Sequence, residues 1–364
     1  MLSLLNGCLY MKQHCCLPVA HIIAKVYKTI NFAPKLVKKI LNNIIKSFLP
    51  LLLGVVILYW IYREFDFSLV GGALRDMNLF WFTISLLFGV FSHVLRGWRW
   101  LLTLAPLGYK PRRDVCVYSI FIAYAANLVL PRVGEVSRCA VLSRYDDVPF
   151  ALSLGTVVTE RLIDTVMVVL ITVAAVLLQW NIFFSFLTQS CGGLGSFDIL
   201  STAGGPLVIA LSLVALAVLV FALARKLSLW TKVRSFFHRF TEGMCSLAKM
   251  ERGWLFVFET VGIWFCYFMQ FYLCFFCFSS TSSLSLAAGL LLFVAGSIAV
   301  VVPTPNGAGP WHYVIIEIMV IYGLTTTDAS LFALIVHSSQ TLLVALLGVV
   351  GIAFLQMKKC ITIK

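Results

Sequence analysis

Acidic residues are scarce in this chain. There are 15 Asp and Glu in 364 residues against 28 Lys and Arg, and charged residues of both signs make up only 12%. Soluble domains carry roughly twice that share, so a sizeable water-facing enzyme domain is excluded. The spacings that announce common catalytic or metal chemistry are missing as well. There is no HExxH, no GxSxG, no P-loop and no zinc-type Cys/His pattern. No catalytic residue, metal or cofactor is therefore expected. No small-residue cleavage site accompanies the first apolar stretch of spanning length, which follows a long Lys-rich segment and reads as a retained anchor.

What the chain has in quantity is apolar surface: 61% hydrophobic residues and a mean hydropathy of +0.97. At ~20 residues per span the length holds about eight to ten membrane segments. The expected fold is all-α, a polytopic membrane helical bundle. The net charge of +13 would suit nucleic acid, but 22 of the 28 Lys and Arg lie in four places: before residue 48, at 96–113, at 225–252 and in the tail from Lys358. Such clusters beside apolar spans set topology, and they put these segments and both termini in the cytoplasm. A bacterial cytoplasmic (inner) membrane protein that binds no nucleic acid is the expectation. Eleven Cys are scattered, and the Cys274–Cys277 pair lies in the apolar run YLCFFCF, where buried small side chains outweigh metal or redox chemistry.

Three regions follow. Residues 1–47 form a basic cytoplasmic segment in which the run from Pro34 has helical apolar spacing. It reads either as an amphipathic helix on anionic lipid headgroups of the cytoplasmic face or as a stop before the first span. Residues 48–356 form the membrane domain, and 357–364 a basic tail. Spans are expected at 48–62, 79–95, 150–178, 204–224, 253–278 and 329–356, with a mixed-charge loop at 63–78. The motif RGWRW after the second span suits a headgroup interface, with Trp98 and Trp100 at headgroup depth and Arg96 and Arg99 on phosphates. If 115–130 also crossed, the loop at 179–203, which has one acid and no Lys or Arg, would fall inside. The stretch 115–130 is short and ends in Pro131 and Gly134, so a re-entrant hairpin restores parity. The segments at 284–302 and 311–324 flank a second break, VVPTPNGAGP. Eight crossings, or six plus two re-entrant hairpins, satisfy the charges. The two Pro-Gly breaks also suggest an inverted repeat.

The stretch NLVLPRVGEVSRCAVLSRYDDVPFALSLGTVVTERLID, 127–164, concentrates charge in apolar surroundings. Glu160 and Asp164 are four apart, hence on one helical face, and invite an Arg from elsewhere, Arg132 or Arg138. The cluster reads either as an ion lock between helices or as a polar site for a headgroup or coupling ion. Arg132, Glu135 and Arg138 follow the first break, where arginines match phosphate and Asn127 is placed to cap the break or touch a ligand. Pro131 and Gly134 shape that break; Asn306, Gly307 and Gly309 shape the second, with His312 and Glu317 just beyond. Glu259 and His93 stand isolated in apolar runs. Asp146 and Asp147 read as a loop charge pair rather than as a metal–sugar motif.

The pieces N-x-V-L-P…G-E-V-x-R, V-V-x-E-R-L-x-D and a late P…G-x-G…E, over roughly 50–355, resemble the transmembrane domain of the lysylphosphatidylglycerol synthase/flippase family. The late motif departs from the family form, leaving Pro310 and His312 unmatched. The resemblance implies a membrane domain that moves lipid, or a lipid-linked species, between leaflets. Two-part members carry a separate cytoplasmic synthase domain, which these 364 residues do not hold, so a stand-alone member is expected, more transporter than enzyme. The substrate expected is an anionic or aminoacylated phospholipid or lipid-linked precursor. Asn127, Pro131, Arg132, Gly134, Glu135, Arg138, Glu160, Arg161, Asp164, Asn306, Gly307 and Gly309 form the expected site, and a homo-oligomer is compatible with it. Two other readings stand beside this one: a membrane-embedded transferase acting on a lipid-linked sugar, and a non-transporting scaffold for envelope biogenesis.

Overall fold

Apolar sequence of spanning length becomes four long helices among the residues that the computed structural model describes, which are 51–130, 133–180, 182 and 252–362. In chain order the helices are α1 (Leu51–Tyr62), α2 (Ser68–Asp76), α3 (Leu79–Leu104), α4 (Arg113–Val129), α5 (Val133–Tyr145), α6 (Phe150–Leu178), α7 (Gly253–Tyr272), α8 (Leu286–Ala299), α9 (Pro310–Ile321) and α10 (Thr326–Thr362). Short 3-10 turns occupy Leu273–Cys277 and Pro305–Gly307. No strand occurs among the described residues. The segment from Pro34, most of 179–203, the span at 204–224 and nearly all of the basic loop at 225–252 lie outside them.

Local sequence sets the helix starts. The Asn78 carboxamide accepts from the backbone N–H of Phe80 at 3.1 Å and opens α3. Ser285 accepts from Ala288 at 3.2 Å and opens α8. Before α10, the Thr325 hydroxyl accepts from the Asp328 N–H at 3.0 Å and donates to its carboxylate at 2.7 Å. Each satisfies an amide that the first turn leaves without a partner. Pro310 begins α9, where its missing N–H costs nothing. Two boundaries differ from expectation. The mixed-charge loop at 63–78 contains α2, and α3 runs on to Leu104 instead of ending near residue 95.

The lengths divide the helices into two kinds. α6, with 29 residues, is about 43 Å long and exceeds a ~30 Å hydrocarbon core. The helices flanking the breaks are shorter: α4 has 17 residues and α5 13, α8 has 14 and α9 12, so they extend only about 18–25 Å. Each pair folds back on itself. At the base of the first hairpin the Arg112 guanidinium donates to Asp146 at 2.8 Å and to the Tyr145 carbonyl at 2.9 Å, while its backbone N–H donates to Asp146 at 2.9 Å. At the turn, Gly134 packs against Ala123 and Asn127 so closely that a Cβ has no room. In the second pair Gly296, near the end of α8, meets Trp311 and Ile315 at the start of α9.

The order long helix, short pair, long helix therefore occurs twice, as α3, α4–α5, α6 and as α7, α8–α9, α10. The leading helices α3 and α7 run antiparallel: Ser85 donates to the Gln270 carbonyl near one end, and Arg99 to Thr260 at 3.3 Å near the other. Other contacts exchange halves, for α4 packs on α10 and α8 packs on α6. Tyr118 of α4 stacks on Phe354 at 5.3 Å, and Gly348 of α10 lies against Ala125. Two large apolar cores result. One joins α3, α4, α5 and the start of α6 through Trp100, Leu104, Ile120, Leu142 and Val157. The other joins α7, α8, α9 and the start of α10 through Phe271, Leu292, Ile315 and Phe332. α10 reaches both, through Phe332 and Leu355.

Candidate functional site

Two of the long helices are inverted in polarity. On α6 the buried positions are Ser153, Thr156, Val157, Glu160, Asp164 and Ala175, while Val158, Val166, Val169, Leu170, Val173 and Leu177 are exposed. On α3 the buried stripe reads Ser85, Gly89, Ser92, Arg96, Arg99 and Thr103, stepping by four and three. That is the helical period, with polar groups inward and apolar groups outward, the pattern a lipid solvent favours.

The stripes meet in an ion cluster. Arg96 donates to Asp164 Oδ2 at 3.1 Å and Arg99 to Asp164 Oδ1 at 2.8 Å. Arg138, from α5, donates to Glu160 Oε2 at 2.9 Å, and Arg99 Nε lies 3.6 Å from Glu160 Oε1. Arg161 approaches Asp164 only to 3.9 Å. Aromatic faces complete the shell. Arg138 sits 4.6 Å over Trp100, Arg99 5.5 Å over Phe256, and Arg96 between Tyr124 and Tyr267 at 5.8 and 5.7 Å. The Trp100 indole donates to Thr156 at 2.9 Å, and the Tyr124 and Tyr267 hydroxyls bond at 2.8 Å.

The pairing is incomplete. Four guanidiniums share two carboxylates, and Arg96 Nε, Arg99 Nη2, Arg138 Nη2 and Arg161 Nε are buried without a hydrogen-bond partner. Glu135 Oε2 and Glu259 Oε2 are in the same condition. Buried polar groups are nearly always paired, and an unmet charged donor costs more than a neutral one. A concentration of such atoms is chemically suited to a charged ligand.

The expected site residues fall into two groups. Asn127, Gly134, Glu135, Arg138, Glu160, Arg161 and Asp164 gather where α3, α4, α5 and α6 meet. The Asn127 side-chain carbonyl accepts from the Gly134 N–H at 2.7 Å and caps the break. Pro131 and Arg132 lie outside the described residues, so of the two arginines expected to meet Glu160 and Asp164 only Arg138 is placed, on Glu160. Asn306, Gly307 and Gly309 belong to the second break and make no hydrogen bond or ion pair with the cluster among the described residues. Asn306, at φ 52°, donates to Thr341 at 2.8 Å, and its carbonyl bonds His337 at 3.1 Å. Gly307 and Gly309 have φ of +74° and +94°, where a side chain would be strained. The His312 ring lies 4.5 Å from His337 and its Nδ1 accepts from Gly309. The two breaks nevertheless come close, since the turn Pro305–Gly307 packs on α4.

A model of the lysylphosphatidylglycerol synthase TM region matches residues 47–348. The chain belongs to that lysylphosphatidylglycerol synthase TM family. It is also similar to a protein named Glycosyltransferase AglD from Haloferax volcanii, 30% identical over 115 residues. That match covers 31% of this chain and 18% of the relative, so the chain spans under a fifth of the curated relative's length. No solved structure matches the chain.

Arg96 and Arg99 are the site residues that the interface reading of RGWRW misplaces. Arg96 is 2% exposed, Arg99 and Trp100 are fully buried, and only Trp98 stays at the surface. The physical reason is the acid pair on α6, which compensates two guanidiniums that would otherwise seek headgroups. The missed signal is the polar stripe itself, which runs unbroken from Ser85 to Thr103. Glu259 and His93 are likewise not isolated. Glu259 lies within electrostatic reach of Arg99, and His93 packs 4.3 Å from Tyr124. Cys274 and Cys277 are buried and free, and Asp146 is the partner of Arg112.

Proposed function

We propose that this protein moves an anionic phospholipid or lipid-linked phosphate between leaflets, with both termini on the cytoplasmic side of a bacterial inner membrane. The observation that carries the reading is the concentration of unmet guanidinium donors buried beside a broken helical hairpin. Guanidinium recognises phosphate through two parallel hydrogen bonds and keeps its charge at any working pH. Ionisable groups inside membrane helices mark substrate or ion paths. The twofold order of long helix, short pair and long helix, with antiparallel leading helices, is the arrangement in which broken segments alternate access to one site. Membership of a lipid-related membrane family agrees with it.

The test is reconstitution of the purified full chain in liposomes bearing fluorescent phosphatidylglycerol or phosphatidylcholine in one leaflet. The expected result is faster exchange of the anionic lipid than in empty vesicles. Equal rates would refute the proposal. The likeness to a glycosyltransferase favours a second reading, a membrane-embedded transferase acting on a lipid-linked sugar. That name describes a protein of which more than four fifths lies outside the match. Product formation from a sugar donor by the same preparation would decide for it.

A further inference from the structure

The four arginines of the cluster are not equivalent. Arg96, Arg99 and Arg138 each make a hydrogen bond to a carboxylate of 3.1 Å or less, each lies against an aromatic ring, and none has more than 3% of its side chain exposed. Arg161 differs on all three counts. Its side chain is 41% exposed, its nearest acid oxygen is 3.9 Å away, and among the described residues no ring lies against its guanidinium. It is within electrostatic reach of Tyr124 and Arg138, both of which belong to the first hairpin. The Tyr124 hydroxyl is bonded to that of Tyr267 on α7 at 2.8 Å. Arg161 also lies eleven residues into α6, roughly 17 Å along the helix. A partly exposed guanidinium at that depth is costly in hydrocarbon and is at home in a polar path.

We infer that Arg161 is the residue that takes hold of the substrate's phosphate, and that Arg96, Arg99 and Arg138 are positioning residues which fix Glu160 and Asp164 around it. The inference rests on the translocation reading and names the ligand chemistry at that site: a phosphate ester of a lipid headgroup, held by the free edge of one guanidinium. Arg161 is the member of the cluster whose removal breaks no hydrogen bond to a carboxylate. Its loss should therefore separate binding from stability.

The experiment compares the wild-type chain with Arg161→Gln and Arg161→Lys in phosphatidylcholine nanodiscs. Short-chain phosphatidylglycerol is titrated, inorganic phosphate is run as a second ligand, and thermal unfolding is measured on each sample. Arg161→Gln is expected to weaken lipid binding by roughly tenfold or more, the worth of a charge-assisted hydrogen bond, without lowering the unfolding midpoint. Arg161→Lys should fall between, keeping charge but losing the two-pronged geometry. Wild-type affinity in Arg161→Gln, or a fall in its midpoint as large as that of Glu160→Gln, overturns the inference. Arg161-dependent binding of inorganic phosphate as tight as that of the lipid would make this a free-anion site and overturn the headgroup assignment. Wild-type protein that neither binds nor transports the lipid refutes the translocation reading itself. Wild-type protein that does both, with Arg161→Gln unimpaired, refutes the role of Arg161 alone.

Discussion

Glu160 holds the cluster together at the level of single residues. It has no solvent exposure, accepts from Arg138 at 2.9 Å and lies 3.6 Å from Arg99. Removing one partner of a buried ion pair leaves the other charge uncompensated and costs about 3–5 kcal/mol. Glu160→Gln should therefore lower the unfolding midpoint in detergent sharply, as followed by tryptophan fluorescence. An unchanged midpoint would mean that the pair contributes nothing to stability. The acid side of this cluster was legible in the sequence, because Glu160 and Asp164 share one face of one helix and buried carboxylates demand cations. Arg138, the partner of Glu160 at 2.9 Å, was legible too, but Arg96 and Arg99, the partners of Asp164, were not. RGWRW has the composition of an interface anchor, and only the extension of α3 to Leu104 brings Arg96 and Arg99 opposite α6. Composition describes a neighbourhood of sequence, whereas depth depends on where the helix ends.

The first hairpin depends on its two ends. At the turn, a Cβ on Gly134 would meet the Ala123 carbonyl and the Asn127 side chain. Gly134→Ala should force α5 away from α4 and cost about 1–3 kcal/mol, seen as a lower unfolding midpoint. Wild-type stability would contradict the close approach. At the base, Asp146→Ala removes the acceptor for both the guanidinium and the backbone N–H of Arg112. Reversing both charges, with Arg112→Asp and Asp146→Arg, should recover only part of the loss, since the backbone N–H stays unpaired. Full recovery in a double-mutant cycle would show that the backbone bond adds nothing. The positions of both breaks could be read from Pro and Gly, whose backbone constraints are local. That the second turn lies against α4, and that Asn306 bonds Thr341 on α10, depends on contacts far apart in sequence that no spacing reveals.

Across the molecule, the two halves contribute different chemistry to one arrangement. The first supplies the arginine–carboxylate cluster, and the second supplies the turn at Asn306, held by His337 and Thr341 of α10. Transport by the proposed route needs that turn to move. With Asn306→Cys and Thr341→Cys, a short reversible thiol cross-linker joins the turn to α10 in liposomes carrying fluorescent phosphatidylglycerol, and leaflet exchange is followed by albumin back-extraction. Wild-type protein given the same cross-linker controls for the native cysteines. The account predicts exchange faster than in empty vesicles before cross-linking, arrest after it, and recovery on release. Exchange that continues unchanged while the turn is locked, or that never exceeds empty vesicles, would contradict it.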